Sequence, residues 1–233
     1  EGGCPNGRGG EALRAGLRRG RHAAGWFSYE AGHAFEPRLA ARATRRSAGR
    51  FPLLWFGLFD RTEELTRDEL ERALPDDAGA YLSTPRPRMT RAAYARKFAR
   101  TQRYIADGDV YQINLSYRAD LSMVGDPLAA YARLRGSGQG GWSAVVHNGE
   151  QWLLSTSPEL FFRLTDGAIE ARPMKGTAKR RSDPNEDRAA AEALRRDPKE
   201  LAENVMIVDL LRNDISRLAK RGSVHVPELF TVE

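Results

Sequence analysis

Cysteine is nearly missing from this chain. Cys4 stands alone, so no internal disulfide framework can form, and no second thiol sits at zinc-ligand spacing. A reducing compartment fits that usage. Long apolar runs are missing too: the longest, residues 53–59 interrupted by Gly57, is far too short to cross a bilayer. No charged-then-apolar leader opens the chain, and the expectation is a soluble, cytoplasmic protein without a membrane partner. Histidine is scarce, and His22, His33, His147 and His225 share no metal-ligand spacing. With no Gly-x-Ser-x-Gly elbow either, zinc and hydrolase-triad readings lack support. No segment is low-complexity, and no repeat recurs at a solenoid or propeller period.

What is present suffices for a sizeable core: 41% of the 233 residues are hydrophobic, enough for one large domain or two small ones. The formal net charge of +6 invites a nucleic-acid reading. The basic residues, however, are spread among acidic ones, without aromatic interleaving or a zinc finger to focus them, so no nucleic-acid partner is expected. A basic surface also suits an anionic metabolite. The chain opens on Glu1 instead of a methionine and stops at Glu233 inside a strand-like run, so both ends read as cut.

Apolar segments at 23–29 and 51–59 read as strands in a first region, 1–89, which closes where Pro75, Pro85 and Pro87 break periodicity. The second region, 90–233, opens with Thr90 as an N-cap. Tyr94, Phe98, Thr101 and Ile105 then recur at helical spacing until Asp107-Gly108. Tyr111, Ile113, Leu115 and Tyr117 alternate with polar residues and predict a strand. Asn148-Gly149 and Asp166-Gly167 predict two hairpins, from 142–147 with 151–155 and from 160–165 with 168–172, giving four antiparallel strands in succession. Helices are expected over 184–196 and from Pro198 to about Arg212, with Gly222 ending the helical region. Strands first and helices later, joined by hairpins, predict an α+β fold.

Several constellations could carry chemistry. Gly136, Gly138 and Gly141 match a dinucleotide fingerprint in spacing, but a helix precedes them and a strand follows, the reverse of what a phosphate-binding turn needs. They read as a connector. On the last helix, Leu201, Val205 and Val208 form one apolar stripe and Met206, Ile207 and Leu210 another, so the helix should be buried on most sides. Glu203 projects from the second stripe and needs a cation there: either an Arg or Lys in an ion pair, or a hard metal ion such as Mg²⁺. Lys175, beside Gly176 in Pro173-Met174-Lys175-Gly176-Thr177, is either an ordinary loop lysine or a nucleophile held close to a ligand. Glu159, between Pro158 and the apolar Leu160-Phe161-Phe162, is either a solvent-facing strand residue or an acid/base group in an apolar setting.

These segments, in this order, resemble the chorismate-utilising enzymes: anthranilate, aminodeoxychorismate and isochorismate synthases. The resemblance rests on Gly108-Asp109-Val110-Tyr111-Gln112-Ile113-Asn114-Leu115, Ser157-Pro158-Glu159-Leu160-Phe161, the 172–177 loop, the stretch from Ala202-Glu203-Asn204 to Arg212-Asn213-Asp214, and Val226-Pro227-Glu228-Leu229-Phe230. It is specific over about 90–233; in 1–89, Gly25-Trp26-Phe27-Ser28-Tyr29-Glu30-Ala31-Gly32 resembles the family's N-terminal region. The resemblance implies packed antiparallel β-sheets with surrounding helices, incomplete in this chain.

It also implies roles. Anthranilate synthases resemble this loop with alanine at the position of Lys175, whereas aminodeoxychorismate synthases have lysine. Lys175 would attack chorismate at C2 and displace the 4-hydroxyl, and ammonia would enter at C4 and expel the lysine, giving 4-amino-4-deoxychorismate for para-aminobenzoate and folate biosynthesis. Glu203 falls on a Mg²⁺-binding glutamate, Glu159 on an acid/base glutamate, and Thr177, beside Gly176, on a substrate-side residue. The implied cofactor is Mg²⁺, and the implied partner is a glutamine amidotransferase supplying ammonia. The family continues past Val-Pro-Glu-Leu-Phe with a second Mg²⁺ glutamate and a Gly-rich substrate motif. The 233 residues alone are therefore expected to catalyse little, and turnover at a full-length rate would contradict this. The alternatives are an anthranilate synthase component I and a truncated, non-catalytic chorismate-binding fragment.

Overall fold

The computed structural model describes residues 7–40, 51–137 and 141–232. Cys4 and Gly138 lie outside the described residues. The chain forms two compact units, one from residues 1–137 and 145–154, the other from 138–144 and 155–233.

The first unit opens with helix α1 (Gly7–Arg18), strand β1 (His22–Phe27) and, past a 3₁₀ turn, the short helices α2 (Gly32–Phe35) and α3 (Pro37–Ala40). Strand β2 (Leu54–Phe59) pairs antiparallel with β1, Gly25 opposite Phe56 and Trp26 opposite Trp55. Buried Trp26 stacks on Phe51 and Trp55 at 4.9 and 5.1 Å between ring centroids, which anchors this sheet through aromatic area. Gly25 is required by close approach: a Cβ there would fall on the Trp55 carbonyl oxygen and 2.7 Å from Phe56 Cα. Gly25→Ala must push β1 off β2 and is expected to cost about 3 kcal/mol, read as a lower urea midpoint; an unchanged midpoint would show that the strands do not approach this closely.

Helix α4 (Arg67–Ala73) starts from a capping box in which Thr66 and Glu69 satisfy each other's backbone amides. Strands β3 (Ala80–Leu82) and β4 (Arg86–Pro87) follow, then α5 (Arg91–Ala106), β5 (Ala119–Asp120), β6 (Met123–Gly125) and α6 (Pro127–Ser137). Thr90 caps α5 by accepting from the Ala93 amide, as the sequence predicts. β3 pairs antiparallel with β6, and β4 with β5. Around them sits a small core of Ala80, Ala129 and Ala130, flanked by Leu82 and Leu154.

The strand expected over 111–117 is not formed. The segment carries no ladder, and Tyr111, Ile113 and Tyr117 are exposed. Alternation supplies one apolar face, but a strand also needs a neighbour for its amides and carbonyls, and pairing begins only at Ala119, opposite Pro87.

Strands β7 (Trp142–His147) and β8 (Trp152–Ser157) form the first predicted hairpin. Its turn is wider than two residues: Gly149 takes φ +97°, while Asn148 Oδ1 accepts from the Glu150 and Gln151 amides. The asparagine works through its side chain here. Strands β9 (Leu160–Thr165) and β10 (Ala168–Arg172) pair antiparallel around Asp166 and Gly167, both at positive φ, as expected. The two hairpins do not merge into a four-stranded sheet; each remains two-stranded. Helices α7 (Pro184–Arg196) and α8 (Pro198–Ser216) close the order, each with Pro at its first position and an Asp N-cap. The result is α+β, helices with small antiparallel sheets.

Candidate active site

All the residues singled out for chemistry belong to the second unit. β10 ends at Arg172 and releases a loop in which Pro173, Met174, Lys175 and Gly176 are half-buried and Thr177 is exposed. Gly176 adopts φ +73°, and a Cβ on it would stand 2.8 Å from Glu200 Oε2 and 3.2 Å from Leu194 Cδ1. Glycine therefore lets the loop lie against the first turn of α8. The same first turn is fixed by Asp197, whose carboxylate accepts from the Lys199 and Glu200 amides at 2.9 and 3.1 Å.

From this loop and helix arises a cavity of about 1370 Å³, lined by Lys175, Gly176, Thr177, Glu200, Asn204 and the tail at 223–232, among others. Lys175 has no hydrogen-bond or ion-pair partner among the described residues. Lys175 thus lines the cavity with its side chain uncommitted among the described residues. Further basic side chains on the lining, Lys179 and Lys220 among them, suit an anionic ligand. Asn204 donates from its side chain to the Leu229 carbonyl and so ties the tail to α8.

Glu203 lies outside this lining but one turn from Glu200 on the same helix. Both carboxylates engage one cation: Lys199 Nζ is 3.3 Å from Glu200 Oε1 and 3.1 Å from Glu203 Oε1. The Lys199 ammonium is held above its ordinary range, chiefly by the bond to Glu203 and then by that to Glu200. A lysine thus stands beside Glu203, one of the two kinds of cation that the sequence leaves open. The expected burial of α8 on most sides is overturned: Val205, Met206 and Leu210 are exposed at 44, 38 and 44%. Leu201, Val208 and Leu211 line the cavity, while Val205 of the first stripe and Met206 and Leu210 of the second stay open.

Glu159 follows β8, with its backbone tied to Ser157 Oγ. Its carboxylate accepts from the Met174 amide at 3.4 Å, one residue before Lys175. Of the two settings the sequence leaves open for Glu159, the apolar enclosure is not formed, since Glu159, Phe161 and Phe162 are all exposed; residues on a two-stranded sheet with open faces do not gather around a neighbouring turn. The structure thus joins Glu159 to the Lys175 loop, and that loop through Gly176 to Glu200, which shares Lys199 with Glu203.

Glu200, Lys199 and Asp187 escaped the sequence reading. The three-residue spacing of Glu200 and Glu203 was the available signal, because such residues share a helix face. Asp187 on α7 accepts from Arg180 Nε at 3.0 Å and from the Arg181 amide at 2.8 Å, fixing the far end of the Lys175 loop. The Arg180 bond holds the Asp187 carboxyl below its ordinary value, with the Arg181 amide adding to this. A carboxyl with a depressed folded pKa contributes stability that is complete above its unfolded value of about 4 and lost as pH falls through the folded one. Amide exchange across 176–187, taken relative to the intrinsic rate at each pH, is therefore expected to accelerate on acidification below about pH 4. In Asp187→Asn it should be fast already at neutral pH; matching profiles would show that this anchor does not hold the loop.

Among the described residues no three His, Cys, Asp or Glu side chains converge. The residues that could hold a metal ion here are Glu200 and Glu203, whose carboxylates already gather one cation between them. Two oxygen-donor groups with the remainder from substrate and water is a set that suits Mg²⁺.

The fold is shared with a crystal structure of anthranilate synthase component I from Streptococcus pneumoniae, at a TM-score of 0.69 and 22% identity, covering 90% of this chain and 53% of that one. The sequence matches the family described as chorismate binding enzyme over residues 8–233, and the chain belongs to that family. Among curated relatives, it is 48% identical over 145 residues to aminodeoxychorismate synthase component 1 of Salmonella typhimurium, covering 62% of this chain and 32% of the relative. It is 38% identical over 230 residues to the Klebsiella aerogenes protein of the same name, covering 91% and 50%. Anthranilate synthase component 1 of Methanothermobacter thermautotrophicus is 34% identical over 227 residues, covering 89% and 47%. The chain spans between a third and a half of the length of these relatives. Among the described residues no helix is long and apolar enough to cross a membrane.

Proposed function

We propose that this chain carries the nucleophile of an aminodeoxychorismate synthase, converting chorismate and ammonia to 4-amino-4-deoxychorismate. The observation that carries the reading is Lys175: an uncommitted amine on the cavity, in a loop held by Gly176 against Glu200. Its Nζ adds to ring C2, losing a proton, while the double bonds shift and the 4-hydroxyl departs as water. Ammonia then adds at C4, and the shift reverses to release the lysine. Glu159, tethered to the Met174 amide, is the group proposed to pass protons at this end of the loop, and Thr177 lies on the substrate side.

Glu203, with Glu200, would hold Mg²⁺, which when bound supplies positive charge for the substrate carboxylate. In this reading residues 1–89 are the family's N-terminal region and 90–233 part of the catalytic domain. A separate glutamine amidotransferase supplies ammonia in the cytoplasm, for para-aminobenzoate and folate synthesis. The names of the Salmonella and Klebsiella relatives support this over anthranilate formation, as does a lysine at 175. Incubation with chorismate, Mg²⁺ and an ammonium salt, followed by chromatography of the products, tests it. Lysine-dependent 4-amino-4-deoxychorismate is expected from a chain of its relatives' full length, with little from the 233 residues alone, and anthranilate as the product would overturn the reading.

A further inference from the structure

Lys199 occupies an unusual place relative to the two carboxylates. It stands one residue before Glu200 and four before Glu203, and its single Nζ reaches an Oε1 of each, at 3.3 and 3.1 Å. Glu200 and Glu203 are 24 and 32% exposed in their side chains, whereas Lys199 is 73% exposed. The carboxylates are thus partly withdrawn from water, while the one cation that they share sits on the solvent side, at the end of a flexible four-carbon stem. A divalent ion approaching the same oxygens meets a site already holding a positive charge.

We propose that Lys199 is an internal competitor for the divalent ion, a side chain that must swing out of the Glu200–Glu203 pair before the metal enters. The inference rests on the metal reading of Glu203 given above. Its consequence is a site with half its negative charge offset and its carboxylates held in order without metal, whose affinity for a divalent ion is held down by the two contacts that the ion must displace. Exposed ion pairs are individually weak, so the stem can release them without unfolding α8, whose first turn is separately capped by Asp197. The substrate's own carboxylate, by adding oxygens to the shell, would tip the exchange toward the metal.

Mn²⁺ titration of the substrate-free protein, followed by electron paramagnetic resonance of the unbound ion, reads this directly. Lys199→Met is expected to bind Mn²⁺ about three- to tenfold more tightly than the parent, the factor that displacing two exposed ion pairs is worth. Lys199→Arg, which keeps the charge, should stay near the parent, and the gain should vanish when Glu203→Gln is added to Lys199→Met. Circular dichroism of each variant establishes that α8 is intact. Parent and Lys199→Met binding Mn²⁺ equally, or the methionine variant binding more weakly, would overturn the role of Lys199 while leaving the metal site standing. Absence of Mn²⁺ binding in parent and variant alike, at millimolar ion, would overturn the metal reading and the competitor together.

Discussion

In a chain of its relatives' full length, Lys175→Ala is expected to abolish 4-amino-4-deoxychorismate formation, lowering the rate by about a thousandfold or more, as loss of a covalent nucleophile does. The side chain has no hydrogen-bond or ion-pair partner among the described residues and is only half-buried, so its truncation removes chemistry without dismantling the loop. The positive φ of Gly176 and the Asp187 anchor at the loop's far end remain in place. Lys175→Arg separates the two things a lysine can do. It keeps a positive charge beside an anionic substrate but offers a guanidinium that stays protonated, and it should be as inactive as alanine. Intact-mass analysis after mixing with chorismate and no ammonia gives a second readout. The parent should gain the mass of chorismate less one water, mapping to the peptide that holds Lys175, and neither variant should. An arginine variant that retained turnover would reduce Lys175 to an electrostatic role.

Glu203→Gln is expected to produce the next largest loss. The exchange keeps the side chain's shape on α8 and removes the charge that it shares with Glu200. If Mg²⁺ sits there, several kcal/mol of charge stabilisation is at stake, about two to three orders of magnitude in kcat/KM at 1.36 kcal/mol per decade. The bond from Lys199 is lost with it, but an exposed pair of that kind contributes little to stability. Thermal unfolding without metal should therefore stay close to that of the parent while activity collapses, with partial recovery at high Mg²⁺. Activity that held steady across this substitution would leave Glu203 with the plain ion-pair role that its contact with Lys199 also fits.

The helices of the second region were legible with little ambiguity. Asp183-Pro184 and Asp197-Pro198 write both N-termini of α7 and α8 locally, since the cap accepts the first amides and proline lacks the one that would go unmet. The β9–β10 hairpin was equally local, because Asp166-Gly167 supplies the two positive φ angles that its turn needs. Pairing beyond a hairpin was another matter. Tyr111 to Tyr117 alternates well but finds no ladder, β8 and β9 follow one another without joining, and the open stripe at Met206 and Leu210 looked like core. Alternation reports which residues could share a face, and only the tertiary structure decides whether anything comes to cover it.

The site divides along the same line. By itself the sequence determined the chemical types, Lys175 beside a glycine, Glu159 after a proline turn and Glu203 on an apolar helix, because motif order and residue identity are carried by the chain alone. The tertiary structure decided their company. It laid Gly176 against Glu200, joined Glu159 to the Met174 amide and gave both α8 carboxylates to Lys199. The first and second of these contacts span 24 and 15 residues of sequence, and contacts of that range depend on how β10, the loop and α8 come together, which no local pattern encodes.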